Sequence, residues 1–252
     1  MAGWTPSFDV YMAVVDDAPT SFVVDMGAAG HAPLASHPVR IQVRSALLRP
    51  LSNGLRDASE VDSLGELEDS VVERLASAVD AVYVGRFLGA GEVTFVLYAP
   101  EGTSDDDLTA PLGALGDYRA RWDAEEDAGW STYFEFLYPD EASHLSMMNR
   151  QQLAQRREMG DRLDVPREID HFAVFPSLAQ ANAAAVTLGD AGFRVSNVEQ
   201  GEDGETFGVQ FHREETLDGD KADAFCEEIL DLVEPHDGDY DGWGGAVIKG
   251  DS

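Results

Sequence analysis

Calcium chemistry is the first possibility that the sequence raises, because three aspartates alternate close to its C-terminal end. Asp237, Asp239 and Asp241 precede Gly242, and the pattern D-x-D-x-D-G is that of the start of an EF-hand calcium loop. Such a loop needs a bidentate glutamate at its twelfth position, where this chain has Ile248. A proline just before the loop also interrupts the helix that should lead into it. We therefore predict a strand that ends in a glycine turn, with the alternating acids as a stripe on one face.

Two histidines provide a second candidate for metal chemistry. His171 and His212 each lie in an alternating segment that is typical of a β-strand. If the phenylalanines of these strands face the helices of the domain, both imidazoles share the opposite, open face of the sheet. Two imidazoles can begin a metal site, but the sequence offers no evident third ligand. We therefore expect histidines that form surface hydrogen bonds, and we predict neither a metal nor a cofactor.

No pattern in the sequence indicates a catalytic centre. The nucleophile elbow G-x-S-x-G, the zinc motif H-E-x-x-H, the phosphate-binding loop and the C-x-x-C pair are all absent. The single cysteine, Cys226, lies among apolar helix positions and is predicted to be a small buried residue. Arg86 and Asp123 are polar residues that an enzyme in the N-terminal half could use, but their positions suggest no roles. The chain is predicted not to be an enzyme.

The charge of the chain restricts its partners. The sequence holds 48 acidic and 17 basic residues, which gives a formal net charge of -31. Nucleic-acid binders neutralise phosphates with clustered basic residues, so direct binding to RNA or DNA is not expected. A basic protein segment is the partner that such a surface favours. The acidity alternatively reflects solubility or a saline cytoplasm.

Neither export nor membrane insertion is expected. The N-terminal stretch MAGWTPSFDV has no basic region and no long apolar run, so it does not resemble a signal peptide. No segment approaches the ~18 apolar residues that a transmembrane helix needs. We predict a cytoplasmic protein that does not contact a membrane, and the sequence does not indicate its oligomeric state.

Strands outnumber helices in residues 1–140, which predicts a mixed α+β domain. The segments FDVYMAVV, TSFVVDMG and PVRIQVRSAL read as strands, and AVYVGRFLGAGEVTFVLYAP reads as a hairpin. Ser63 and Glu66 have the spacing of a capping box at the start of an amphipathic helix. The aromatic segment GWSTYFEFLYP is predicted to form core, with an aromatic shelf for a ligand as the alternative.

Two further segments complete the chain. Residues 141–165 are polar on nearly all sides and are predicted to form a solvent-exposed connecting helix. Residues 166–252 read β-α-β-β-α-β, with Ser177 as the cap of the first helix. This order predicts a four-stranded antiparallel sheet with both helices on one face, the ferredoxin-like fold. The fold class is therefore α+β, in two domains.

Residues 166–252 resemble the regulator of ribonuclease E activity B family, small acidic proteins of the bacterial cytoplasm. The resemblance lies in three motifs that occur in order: REIDHFAVF, AAAVTLGDAGFRVSN and YDGWGG. It implies the ferredoxin-like fold, no catalytic residues, and a protein-binding role in which the domain inhibits or redirects the endonuclease by contact. The positions that match the family and are predicted to take part in binding are His171, Phe193, Tyr240, Asp241, Gly242 and Trp243. Typical members carry a long acidic tail after this signature, and the present sequence stops at Ser252.

Residues 1–140 look like a second family, a domain of unknown function that is often joined to the first. Short motifs carry this resemblance, among them GWTPSFDVYM, VGRFLGAGEVTFVLYAP and WSTYFEFLYPD. The family has no assigned activity to transfer.

Taken together, these features predict a non-catalytic regulator that binds a protein partner, either a ribonuclease E-type enzyme or another basic protein segment. Two alternatives stay open at this point. One is a small-molecule or metal-binding module that uses the open face of the C-terminal sheet. The other is an enzyme in the N-terminal domain.

Overall fold

Contacts along the chain divide it into two units, Met1–Asp140 and Glu141–Ser252. The computed structural model describes residues 3–202 and 204–250. Each unit contains one β-sheet together with helices, so the predicted α+β class is confirmed. Within the described residues, no helix combines the length and the apolar character that crossing a bilayer requires.

A six-stranded antiparallel sheet forms the centre of the first unit. The elements are β1 (Phe8–Val15), β2 (Ala18–Asp25), β3 (Val39–Ala46), α1 (Val61–Val79), β4 (Val82–Gly89), β5 (Glu92–Ala99), α2 (Asp105–Leu112) and β6 (Ala120–Glu126). The strand order is β1-β2-β4-β5-β3-β6, and the predicted first three strands and hairpin are all confirmed. Helices α1 and α2 pack on one face of this sheet, and their leucines join a core with the inward residues of β3 and β5.

Helix α1 begins at Val61, earlier than its sequence indicates. The predicted capping box of Ser63 and Glu66 does not form, and the Ser63 hydroxyl instead donates to the Glu60 carbonyl oxygen at 3.2 Å. The Glu60 side chain is fully buried and accepts hydrogen bonds from the backbone N–H of Leu48 at 2.7 Å and of Arg49 at 2.8 Å. The buried carboxylate therefore fixes the start of the helix to the chain that follows β3.

Part of the aromatic segment before residue 140 is core, as predicted. Residues Thr132–Leu137 form a π-helical turn, and the ring of Trp130 stacks on that of Tyr98 with centroids 4.0 Å apart. The hydroxyl of Tyr133 donates to the Asp25 carbonyl oxygen at 2.7 Å. Trp130 and Tyr133 are both fully buried, whereas Phe134 and Phe136 of the same segment are each 36% exposed, so the prediction of core holds for the first two rings only.

Four antiparallel strands form the sheet of the second unit. The elements are α3 (Glu141–Glu158), β7 (Arg167–Phe175), α4 (Leu178–Asp190), β8 (Arg194–Gln200), β9 (Phe207–Glu215), α5 (Lys221–Val233) and β10 (Asp239–Gly245). The strand order is β10-β7-β9-β8. Helices α4 and α5 share one core with the inward residues of β7 and β9, so both cover the same face. Ser177 caps α4 as predicted, because its hydroxyl oxygen accepts from the Gln180 backbone N–H at 3.3 Å.

Helix α3 is not the solvent-exposed connection that was predicted for residues 141–165. It packs against α5 and belongs to the second unit. Leu145 and Leu153 are buried on its inner face together with two polar residues, Asn149 and Arg156. The polar pair explains the error, because a face that contains an amide and a guanidinium reads as exposed in the sequence.

A buried carboxylate between two arginines holds the end of this helical segment in place. The side chain of Asp161 is fully buried and accepts from Arg156 Nη1 at 3.1 Å and from Arg167 Nη1 at 2.6 Å. It also accepts from the backbone N–H of Ile248 at 2.9 Å. Burial raises the pKa of this carboxyl, but the hydrogen bonds outweigh burial and hold the pKa below its ordinary value. The carboxylate thus joins α3, β7 and the chain after β10.

A fragment that begins at Pro166 should fail to fold, although the sequence suggested a domain boundary there. This fragment lacks Asp161, so the buried Arg167 guanidinium has no carboxylate to bind. Removing one partner of a buried ion pair typically costs about 3–5 kcal/mol of stability. The fragment 141–252 should unfold cooperatively in urea, followed by circular dichroism. Equal cooperativity and equal midpoints for the two fragments would contradict the role given to α3.

Candidate binding face of the C-terminal sheet

The two faces of the C-terminal sheet differ in what covers them. Along β7, Ile169, His171 and Ala173 point toward the helices and are buried. Asp170 and Phe172 point to the other face, where Asp170 is exposed and Phe172 is half-buried. We call this second face, which neither α4 nor α5 covers, the open face.

The predicted pair of His171 and His212 is wrong. His171 lies opposite Phe211 on the helix side, whereas His212 lies opposite Asp170 on the open face. The prediction assumed that the phenylalanines of both strands face the helices. Phe211 does so, but Phe172 does not, because β7 carries apolar residues on both of its faces.

His171 is enclosed by aromatic rings. Its ring stacks on Phe211 with centroids 5.3 Å apart and meets the edges of Phe193 and Phe225 at 5.7 and 5.2 Å. Its Nδ1 lies 2.8 Å from the hydroxyl oxygen of Tyr240. Nε2 forms no hydrogen bond with any described residue. Of the predicted binding residues, His171, Phe193 and Tyr240 therefore form one internal cluster.

Burial decides the protonation of this cluster. It lowers the pKa of His171 to about 3, with Arg213 and His212 acting in the same direction, so the imidazole is neutral at pH 7. Burial also raises the pKa of the Cys226 thiol to about 11 and that of the Tyr240 hydroxyl well above its ordinary value. Cys226 is buried, as predicted, and burial keeps its thiol protonated and unreactive.

A β-bulge in β10 sets the directions of the remaining predicted residues. Tyr240 pairs with Ala173, but Gly242 pairs with the adjacent Phe172, so Asp241 is an extra residue in this strand. Tyr240 and Trp243 are three positions apart and would face opposite sides of a regular strand. The bulge turns both toward the helices. Asp239 and Asp241 therefore lie in a strand, as predicted. Asp237 precedes this strand with a φ of +52°, and its carboxylate accepts a hydrogen bond from the Gln180 side chain of α4 at 2.7 Å, so it is not part of the predicted acidic stripe.

Trp243 joins β10 to the two helices α3 and α5. Its Nε1 donates to the Asn149 side-chain oxygen at 2.7 Å, and the Asn149 amide donates to Asp223 at 2.8 Å. Its ring meets Phe225 edge-on at 5.5 Å and lies 5.1 Å from the Arg156 guanidinium. Sequence reasoning named Trp243 as a binding residue and missed its contacts with Asn149 and Arg156. These contacts join residues that are far apart in the sequence, since Asn149 and Trp243 are separated by 94 positions. No local sequence pattern could therefore have identified them.

A shallow groove of about 500 Å³ lies along the open face. Four of the predicted residues border it, His171, Asp241, Gly242 and Trp243, although the side chains of His171 and Trp243 point to the helix side. The exposed carboxylates of Asp170 and Asp241 also line it, as does the ring of Phe172. An apolar ring beside two carboxylates suits a basic side chain, whose hydrocarbon stem can cover the ring while its charge meets the acids.

The ring of Phe172 lies directly over Gly208 of the neighbouring strand. A Cβ atom at this glycine would come within 2.5 Å of the Phe172 ring. Any larger residue at position 208 would displace the ring and change the groove.

His212 has acidic neighbours on the open face. Its ligating atoms and those of Glu168 and Asp170 lie within 4.8 Å of one another, and this is the one such group with metal-ligand spacing among the described residues. The Glu168 carboxylate also accepts a hydrogen bond from Arg194. A basic residue of the chain itself therefore already neutralises part of this cluster.

Comparisons with known proteins identify the family of the C-terminal unit. Residues 146–245 match the family model described as "Regulator of ribonuclease activity B". The "Regulator of ribonuclease activity B" of Alteromonas mediterranea (strain DSM 17117 / CIP 110805 / LMG 28347 / Deep ecotype) is 32% identical over 108 residues, which are 42% of this chain and 82% of that protein. This chain belongs to the regulator of ribonuclease activity B family. The resemblance stated from the three C-terminal motifs is thus confirmed.

The first half belongs to a second family. Residues 6–138 match the model described as "Family of unknown function (DUF695)", which confirms the other resemblance. A solved structure of an unknown protein from Galdieria sulphuraria covers 84% of this chain and 99% of its own, at 9% identity and a TM-score of 0.22. A likeness at that score supports no statement about the fold.

The region of the regulator of ribonuclease activity B family includes most of α3. The match begins at residue 146, inside this helix, and ends at residue 245, the last residue of β10. The helix and strand that Asn149 and Trp243 connect are thus both within the family region.

The bulge glycine can be tested against its neighbour on the same strand. Gly242 has a φ of +108°, whereas Gly244 is outside the left-handed region, and a methyl group at either position would meet no atom within 4 Å. Gly242→Ala should cost about 1–3 kcal/mol of unfolding free energy because of backbone strain. Gly244→Ala should change it by less than about 0.5 kcal/mol. Urea unfolding of the fragment 141–252 measures both, and equal effects would refute the strained bulge.

His171 should make the stability of this unit depend on pH. The unfolded chain takes up a proton near the ordinary pKa of 6.5, whereas the folded chain does so only near 3. The contribution to stability is therefore complete above pH 6.5 and is lost as the pH falls toward 3. Between pH 6.5 and 4.5 the wild type should lose about 2 kcal/mol more than His171→Gln, at about 1.4 kcal/mol per pH unit. Parallel pH profiles from urea unfolding would show that His171 titrates normally.

Proposed function

We propose that this chain is a non-catalytic cytoplasmic regulator whose C-terminal unit binds a protein partner, an endonuclease of the ribonuclease E type. Membership in the regulator of ribonuclease activity B family supports the regulatory role. The name of the relative gives ribonuclease activity as the process that is regulated. We propose in addition that the regulated enzyme is of the ribonuclease E type and that the C-terminal unit contacts it directly.

We also propose that the C-terminal unit has the ferredoxin-like fold. Three observations support this fold: the element order β-α-β-β-α-β, the strand order β10-β7-β9-β8, and the antiparallel pairing of all four strands. So does the core that α4 and α5 share on one face. Sheets of this kind leave their second face available to a partner.

The groove on the open face is the observation that carries the proposal. It places Asp241 and Gly242 of the family signature beside Asp170 and Phe172, with the carboxylates of Asp170 and Asp241 both exposed. A partner segment that offers arginine or lysine can form charge-assisted hydrogen bonds there, which are about twice as strong as neutral ones. The net charge of -31 increases the rate at which such a segment approaches.

The arrangement of the N-terminal unit supports a role without catalysis. Arg86 and Asp123, the two polar residues considered for an enzyme, are not brought together. Arg86 Nε donates to Glu68 at 2.8 Å, and Asp123 accepts from Arg40 at 2.6 Å on the opposite face of the sheet. Arg86 is thus paired with Glu68, and Asp123 is shared between Arg40 and Arg44.

Removing the two groove carboxylates should weaken the partner's binding. The double variant Asp170→Asn, Asp241→Asn should bind the host's ribonuclease E-type enzyme about 10-fold more weakly, because charge-assisted contacts of about 1.5 kcal/mol or more are lost. Co-purification from the native host, titration with the purified enzyme and an RNA-cleavage assay measure this.

The matched control removes two exposed acids of the helix side. Asp190→Asn, Asp231→Asn changes the net charge equally but leaves the groove intact. Equal weakening in both double variants would indicate general charge and not the groove. No binding and no change in cleavage at micromolar protein would eliminate the proposed function itself.

A further inference from the structure

The edge of the N-terminal sheet exposes a row of apolar side chains. Phe8, Val10, Met12 and Val14 alternate along β1 and are 46%, 42%, 53% and 73% exposed. Val10 pairs with Val23, Val23 with Arg86, and Arg86 with Phe95 of the core. Because directly paired residues point to the same side of a sheet, the apolar row lies on the same face as the core under α1 and α2. Helices α1 and α2 cover strands β3 and β5 on that face. They leave strands β1 and β2 uncovered.

A groove of about 430 Å³ lies on this uncovered part. Its floor consists of apolar residues of β1, β2 and β4, and one wall is the loop between β3 and α1. Met12, Val23 and Leu88 lie on this floor, and Leu51 and Leu55 belong to the wall. This volume is within the range of about 300–1,000 Å³ that is typical of small-molecule sites, which are also mainly apolar.

Hydrogen bonds hold the wall of the groove in place. Pro50 and Arg56 form a β-bridge, and the Leu51 N–H donates to the Leu55 carbonyl oxygen at 2.7 Å. The N–H of Gly91, in the turn between β4 and β5, donates to the Gly54 carbonyl oxygen at 2.8 Å. The loop is thus tied to the sheet, so a ligand would meet a preformed site and would not have to order it.

Two arginines line this apolar groove, in a chain with only 17 basic residues against 48 acidic ones. Within the described residues, Arg56 forms no ion pair, and Arg86 uses only Nε, in its contact with Glu68. The net positive charge of the groove therefore comes from Arg56. A guanidinium with unused N–H donors is suited to a carboxylate, which it can bind through two parallel hydrogen bonds.

We propose that this groove binds a small amphiphilic anion, an apolar molecule that carries one carboxylate. The apolar body covers Met12, Leu51 and Leu55, and the carboxylate meets Arg56. The net charge of the whole chain acts against an anion, so the local arginine must supply the attraction at short range. The site is independent of the proposed partner surface, which lies in the other unit.

The preference for an apolar molecule with a carboxylate can be tested on the full-length chain with sodium decanoate and with decanol, its uncharged counterpart. Isothermal titration at physiological salt, where long-range charge is screened, should show one decanoate per chain. Decanol should bind about 10-fold more weakly, because it lacks the charge that Arg56 recognises. Equal affinities for decanoate and decanol would overturn the anionic part of the proposal, and no binding at millimolar decanoate would overturn all of it.

Two matched pairs of variants locate the site. Met12→Asp places a carboxylate in the groove, whereas Val14→Asp places one on the same face of the same strand but outside it. Arg56→Ala removes the proposed anchor, whereas Arg119→Ala removes an exposed arginine elsewhere. Decanoate affinity should fall about 10-fold or more in Met12→Asp and Arg56→Ala and stay unchanged in the two controls.

Self-association through the apolar row is the competing explanation. Sedimentation of the wild type and of Met12→Asp distinguishes it. A wild-type dimer that becomes monomeric in Met12→Asp, together with no displacement of that dimer by decanoate, would assign the groove to a second copy and overturn the proposal. A monomer that binds decanoate in the wild type supports it.

Discussion

One extra residue in the last strand determines which side chains of the C-terminal unit are inside. The bulge at Asp241 turns Tyr240 and Trp243 to the same side of β10. Tyr240 then reaches His171 in the aromatic cluster, and Trp243 reaches Asn149 of helix α3. The same bulge leaves Asp241 exposed at the groove of the open face. The internal packing and the shape of the candidate binding face thus depend on one local irregularity of the backbone.

Most features that depend on neighbouring residues could be predicted from the sequence, although the capping box at Ser63 could not, because the buried Glu60 starts the helix earlier. Side-chain directions and contacts that depend on distant pairing could not be predicted. The hairpin of β4 and β5, the cap at Ser177 and the buried leucines of α1 follow from local spacing and are present. The direction of His171 depends on which face of β7 is covered, and apolar residues on both faces leave that undecided. The role of Asn149 was equally hidden, because its partner Trp243 is 94 positions away. Of the six family-signature residues, His171, Phe193 and Tyr240 are internal.

The few basic residues of this chain serve mainly its own structure. Arg156 and Arg167 hold the buried Asp161, and Arg213 binds Glu228 with its guanidinium 4.1 Å from the Phe193 ring centroid. Several positive charges are thus used in internal pairs, while many of the acids are exposed. The surface is therefore more negative than the composition suggests, and mutual repulsion of its carboxylates should decrease as salt screens them. Arg56 is one of the basic residues that form no ion pair among the described residues, and it is the one that lines an apolar groove.

The indole of Trp243 also has a spectroscopic consequence. The sequence contains four tryptophans, and Trp243 is the one that lies after residue 140. Its ring contacts Phe225 and Arg156, and its N–H is bound by Asn149 of α3. The fluorescence of an isolated C-terminal unit would therefore come from a single emitter at the junction of α3, α5 and β10. Its wavelength and quenching would report the detachment of α3 without any introduced label.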